Sequence, residues 1–229
     1  MNERYSRQTM LPEIGEAGQE RLRQARVLIV GVGGLGSPVT LYLTAAGVGC
    51  LGLVDDDVVS LSNLQRQVLY SEAEVGAPKV ECARRRLSEL NSTTRIETYP
   101  TRLTAENAAE LVANYDLVVD GCDNAATRYL IDEECARQGK PYVYGSIAAF
   151  EGQVSVFNYR GGPRYSDLYP RPAVMPVPQP GGVVGSIPGL IGCLQASEAI
   201  KIIAGCGEVL SGKLYWTNLL TLQHQIIEL

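Results

Sequence analysis

In the 229-residue sequence, residues able to handle a phosphate follow one another closely. Gly31, Gly33 and Gly36 in VLIVGVGGLGSPVT have the G-x-G-x-x-G spacing, by which backbone N–H groups and a helix N-terminus receive a phosphate. Asp55 follows where an acid holds a ribose hydroxyl, although an ordinary strand-end acid reads the same way. NAD and ATP both carry adenosine, so these residues do not choose between them. The next stretch does. Asn63, Arg66 and Gln67 are followed by Lys79 at the start of a helix. Arg66 and Lys79 suit the phosphates of a triphosphate as pyrophosphate departs, whereas hydride transfer has no phosphate leaving group to stabilise. Taken singly, Arg66 paired with a carboxylate and Lys79 on the surface are the plainer readings. Asp123 and Asn124 close an apolar run, with Thr127 and Arg128 just beyond. A carboxylate facing a triphosphate holds Mg²⁺, and Asp123 also reads as the cap of the helix after it.

Those side chains need elements to position them. Residues 26–31 predict a strand, and 36–46 predict the helix opened by the glycine turn. Residues 50–57 predict a second strand ending in three carboxylates. Then come a helix over 77–91, a strand over 95–100 and a helix over 104–115 capped by Thr104. A buried strand over 116–124 and a helix over 126–139, stopped by Gly139, complete this half. Such alternation calls for a parallel sheet covered on both faces. Ligands bind beyond the carboxyl ends of its strands, near the reversal of strand order, so the glycine loop, Asp55 and Asp123 gather at one rim.

Past residue 140 the texture changes. YVYGSIAAFEGQVSVFNY predicts two strands around a turn at Glu151–Gly152. The proline- and glycine-rich stretch 161–186 predicts a long loop without regular structure. An apolar helix over 187–203, with Pro188 in its first turn, precedes a closing hairpin. The expected fold is α/β, a Rossmann-like doubly wound sheet, mostly parallel, with added antiparallel strands in the C-terminal half. One domain over 1–229 is expected.

Composition narrows the classes. Hydrophobic residues make up 45%, enough for a sizeable core. The formal net charge is −5, and the short basic run Arg84–Arg86 reads as a solvated helix face, which argues against nucleic acid as the main ligand. No run approaches the roughly 18 apolar residues of a membrane span, and the polar N-terminus lacks a signal peptide's apolar core. A cytoplasmic protein is expected. Six scattered cysteines without a C-x-x-C pair, and a single His224, leave zinc little to bind.

The ordered set RYSRQ, GVGGLGS, VDDDVVSLSNLQRQ, GAPKVE, DGCDNAATRYLID and IPGLIGCLQASEAIKII resembles the ThiF/MoeB/HesA family, bacterial relatives of ubiquitin-activating enzymes. The resemblance implies a homodimeric adenylating enzyme that uses ATP and Mg²⁺ on the C-terminal Gly-Gly carboxylate of a ubiquitin-like sulfur carrier. A separate protein would supply the sulfur. It implies that Gly31, Gly33, Gly34 and Gly36 form the phosphate loop, that Asp55 binds ribose, and that Asp57 also lies at the nucleotide. Ser62, Asn63, Leu64, Gln65 and Arg66 would flank the nucleotide together with Gln67. Lys79 would contact phosphate, and Asp123 with Asn124 would serve metal and nucleotide. Arg7 matches an arginine that the family inserts into the neighbouring subunit's site. The nucleotide part would span about 26–147 and the carrier-facing part about 148–229, with helix 187–203 and the N-terminal arm helping to form the dimer.

Two stretches depart from the family pattern. Many relatives hold zinc with a C-x-x-C pair where PRYSDLYP (163–170) stands here, and with a second pair further on. Arg164 and Asp167 occupy the places of the first pair, so no zinc is expected and the two are expected to pair with each other. Several relatives also carry a cysteine near Pro178 or Gln179, which implies that activation here stops at the acyl adenylate. Cys122, beside Asp123, is expected to pack beneath the rim. Other readings are the same chemistry on a different carboxylate, peptide or modified tRNA base, an NAD-dependent oxidoreductase, and a silent carrier-binding subunit.

Overall fold

The structure is a computed structural model describing residues 3–172 and 181–229. The strands are β1 (Arg26–Val30), β2 (Cys50–Val54), β3 (Arg95–Tyr99), β4 (Leu117–Asp120), β5 (Tyr142–Ala148), β6 (Glu151–Phe157), β7 (Lys213–Asn218) and β8 (Gln223–Glu228). All join one sheet in the order β3-β2-β1-β4-β5-β6-β7-β8. Pairing is parallel from β3 to β5 and antiparallel from β5 to β8. The helices are α1 (Ser6–Thr9), α2 (Gly15–Gln24), α3 (Gly36–Ala46), α4 (Lys79–Leu90), α5 (Ala108–Ala113), α6 (Ala125–Gln138), α7 (Tyr165–Leu168) and α8 (Ser186–Ala204).

Alternation along β1 builds both faces. Val27 and Ile29 join a cluster with Leu22 of α2, Leu43 of α3, Leu87 of α4 and Ala196 of α8. Leu28 and Val30 point the other way, toward Val112 of α5 and Ile131 of α6. Strand order reverses between β1 and β4, so a crevice opens beyond their carboxyl ends.

Several local expectations need correcting. Residues 15–24 form a helix that sequence reading left unassigned, anchored where Gln19 donates to the Ala46 carbonyl. The helix expected over 104–115 covers only 108–113, because the Asn107 side chain accepts from Thr104 N and the preceding turn never becomes helical. The β5–β6 turn falls at Ala149 and Phe150, two residues early, with Ala149 at φ 51°. The loop stretch contains α7, whose Tyr165 packs with Tyr129, Tyr142 and Tyr144. Residues 173–180, with Pro178 and Gln179, lie outside the described residues. By length and composition α8 is apolar enough to cross a membrane, contrary to expectation, yet half of that stretch is buried within the fold.

The expected Arg164–Asp167 pair does not form. Arg164 Nη2 instead donates to Asp132, at 2.9 Å. Asp132 is fully buried and also accepts from Tyr165 N, while Asp167 accepts from the Arg164 backbone N–H. A buried carboxylate attracts the guanidinium more strongly than the solvated Asp167 beside it.

Candidate active site

The crevice is a cleft of about 810 Å³. Its floor is the glycine turn, whose tightness has a steric cause. Gly31 has φ 92°, and a Cβ there would lie 2.5 Å from the Gly121 carbonyl oxygen. A Cβ on Gly36 or on Gly121 would lie 2.1 Å from the Gly31 oxygen. A side chain at Gly33 would meet only the Gln67 amide. Among the described residues no side chain caps α3, which begins at Gly36; its Ser37 and Val39 N–H groups donate to the Gly33 and Leu35 carbonyls, and Gly33, Gly34 and Leu35 line the cleft.

Residue 32 is pinned on both sides. Its N–H donates to Asp55 Oδ2 at 2.9 Å, and its carbonyl accepts from Tyr70 at 2.8 Å. Burial, then the nearby Asp55 charge, pushes the Tyr70 phenol far up, so it stays a donor. Asp55 Oδ1 accepts from Asp57 N at 2.9 Å.

The cations take different positions. Lys79 opens α4, is buried, and pairs with Asp57 Oδ2 at 2.9 Å, so it is not the surface lysine of the plainer reading. Arg66 donates to the Ser62 carbonyl at 3.2 Å rather than to a carboxylate, and lines the cleft. Arg102, which sequence reading missed, reaches the same wall and donates to Asp56 at 2.7 Å. The three carboxylates 55–57 lie close enough to share an ion, but the last two already hold Arg102 and Lys79.

On the opposite wall, Asp123 is exposed and receives the Asn124 amide at 3.3 Å. Asn124, not Asp123, caps α6 by accepting from Thr127 N at 2.9 Å. Below them Asp120 is fully buried. It accepts from Arg128 Nε and Tyr142 at 3.0 Å each, and from the Cys122 N–H and thiol. Burial and the Asp120 charge raise the Cys122 thiol well above its ordinary range, which keeps it protonated. The signal for this network was an aspartate closing an apolar strand, where a buried charge requires a partner.

The structure thus brings Gly31, Gly33, Gly34, Asp55, Asp57, Asn63, Arg66, Gln67, Lys79, Asp123 and Asn124 to one cleft. Gly36 packs beneath it. Ser62 is exposed beside Ser60, Leu64 packs on the core, and Gln65 faces Val183. Arg7 lies exposed on α1, outside the lining of its own chain's cleft. Its neighbours Tyr5 and Gln8 rest on Gly47 and Ala46, at the far end of α3 from the glycine turn.

A probable molybdopterin-synthase adenylyltransferase of Porphyra purpurea is 45% identical over 97% of this chain and 59% of its own length. A sulfur carrier protein adenylyltransferase of Thermus thermophilus is 49% identical over 93% of this chain and 81% of its own length. The chain spans about half the length of several other curated relatives. Among solved structures, Escherichia coli MccB with ATP superposes with a TM-score of 0.82 at 24% identity, covering all of this chain and 72% of that one. That likeness establishes the fold alone. The ThiF family matches residues 5–229, the span holding both the glycine turn and the acidic rim, and the chain belongs to that family.

Proposed function

We propose that the protein adenylylates the C-terminal Gly-Gly carboxylate of a small ubiquitin-like sulfur carrier with Mg·ATP, releasing pyrophosphate ahead of sulfur transfer. The observation that carries this reading is the convergence of Arg66, Lys79 and Asp123 on one cleft with the glycine turn. Two cations and an exposed carboxylate fit a metal-bound triphosphate, whereas hydride transfer has no phosphate leaving group for them to stabilise. The names of the Porphyra and Thermus relatives support the substrate class.

The residues fit the nucleotide. Gly33 leaves space for phosphate oxygens, and Asp55 is oriented by two backbone N–H groups toward a ribose. Bound Mg·ATP supplies an electrophilic α-phosphorus and a good leaving group. Arg66 and Lys79 neutralise charge as one P–O bond forms to the carboxylate and another breaks to pyrophosphate. Asp123 holds the metal. The carrier's carboxylate is already ionised near neutral pH, so no general base is required and a histidine is dispensable.

The proposal includes a symmetric homodimer in which Arg7 enters the partner's cleft, supported by its exposure and its distance from its own. It also includes a cytoplasmic setting, supported by six free cysteines.

The test is exchange of labelled pyrophosphate into ATP in the presence of ubiquitin-like proteins ending in Gly-Gly. Exchange that requires both Mg²⁺ and an intact Gly-Gly end is expected. A melting temperature raised by NAD and unmoved by Mg·ATP would overturn the reading.

A further inference from the structure

Gln195 projects from the middle of α8 and is fully buried. Its Nε2 donates to the Asp120 carbonyl at 2.7 Å and reaches the Val143 carbonyl at 3.4 Å. Gly145 makes room, since a Cβ there would lie 2.4 Å from the Gln195 amide carbon. The Gln195 Oε1 is buried without a partner among the described residues. An unpaired buried carbonyl is costly, so stability alone does not account for an amide at this position.

The same helix touches the other wall of the cleft. Pro188 lies 3.3 Å from where a Cβ of Gly34 would stand. Gly192 allows Pro38 of α3 to approach so closely that a Cβ would lie 2.4 Å from it. The α8 helix therefore rests on the glycine turn and on α3 through its first two turns. Through Gln195 it grips the carbonyl of Asp120, at the start of the turn that carries Asp123.

We propose that Gln195 is a positioning residue that sets the separation between the phosphate loop and Asp123, so that phosphates and metal are held at once. The inference rests on the reading of the cleft as an Mg·ATP site. Substitution should spare nucleotide contacts made by the glycine turn and weaken the contribution that needs Asp123.

The test is calorimetric titration of ATP, with and without Mg²⁺, into wild type, Gln195→Met and Gln195→Asn. The asparagine variant keeps an amide but stops one methylene short, which guards against a methionine variant that fails to fold. In wild type, Mg²⁺ is expected to tighten ATP binding by roughly tenfold. In either variant the tightening should fall below about threefold, with metal-free affinity within about twofold of wild type. A folded variant with wild-type tightening overturns the inference. So does a metal-free affinity that falls as far as the metal-bound one, which marks a merely structural role. Absence of Mg²⁺-dependent binding in wild type overturns the reading of the cleft itself.

Discussion

Lys79 and Asp57 form an ion pair whose two halves meet solvent very differently, with the lysine side chain 4% exposed and the aspartate 60%. The lysine N–H also donates to the Asp57 carbonyl at 3.0 Å. A cation at a helix N-terminus opposes the helix dipole, and the carboxylate offsets that cost. Asp57 is the displaceable half, so an incoming phosphate competes with it for a cation already in place.

Lys79→Met and Asp57→Asn should therefore separate activity from stability. The methionine variant replaces a buried cation by an apolar chain of similar length. It should melt at or above the wild-type temperature while kcat/KM for pyrophosphate exchange falls about 10²- to 10³-fold. Asp57→Asn leaves the buried ammonium facing an amide oxygen in place of a charge and should lower stability by about 2 kcal/mol, between the cost of a solvated pair and that of a fully buried one. Thermal melts and exchange kinetics on both variants check this.

Asp123 and Asn124 are neighbours with different tasks. Asp123→Asn should abolish the Mg²⁺ dependence of nucleotide binding and leave the melting temperature unchanged. Asn124→Ala removes the α6 cap and should cost about 1 kcal/mol, seen as a fall of roughly 2–4 °C.

Arg7 and Asp123 should complement across a dimer. Arg7→Ala and Asp123→Asn are each expected to be inactive. An equimolar mixture allowed to exchange subunits should recover about a quarter of wild-type exchange activity, because half the dimers are mixed and each restores one site. No recovery on mixing would place Arg7 outside the partner's cleft.

Glu97 gives the fold an acid-sensitive point. Burial would raise its carboxyl, but hydrogen bonds from Tyr115 and Arg26, with the charges of Arg26 and Arg95, hold it below the ordinary 4.5. The folded state thus binds fewer protons than the unfolded chain. Its stabilisation is full above that ordinary value and is lost as pH falls through the lower folded one. Glu97→Gln should lower stability at neutral pH and flatten its dependence below about pH 4.5. Denaturant titrations at stepped pH measure this.

Arg164 ties the segment before α7 to α6. Arg164→Ala leaves the buried Asp132 with the Tyr165 N–H as its one hydrogen-bond donor among the described residues and should cost about 2 kcal/mol, discounted because the guanidinium is partly solvated. Incubation with a chelator should leave the melting temperature of the wild type unmoved, as expected for a tether made of side chains.

Much of the rim was legible because it depends on chain order. Strand ends carry Asp55 and Asp123, the glycine turn opens a helix, and the alternation places them together. What escaped depends on contacts distant in sequence. Gln195 meets Asp120 across 75 residues and Tyr70 meets Val32 across 38, and neither leaves a local pattern. Arg164 was misassigned because its nearest acid in sequence is solvated, whereas its partner, 32 residues away, is buried. The helix over 104–115 failed for a local reason, since the Asn107 side chain competes for the backbone that would have begun it.

The contact among Gly31, Gly36 and Gly121 has a consequence for how such sequences can change. Each leaves no room for a β-carbon because another's backbone fills it, so these positions are constrained by one another before any ligand arrives. Gly33 is constrained by a flexible amide alone. A saturation library selected only for solubility should already exclude substitutions at the first three and retain some at Gly33. Two of the three glycines that define the signature thus record where the chain passes over itself, and the middle one records where it leaves room.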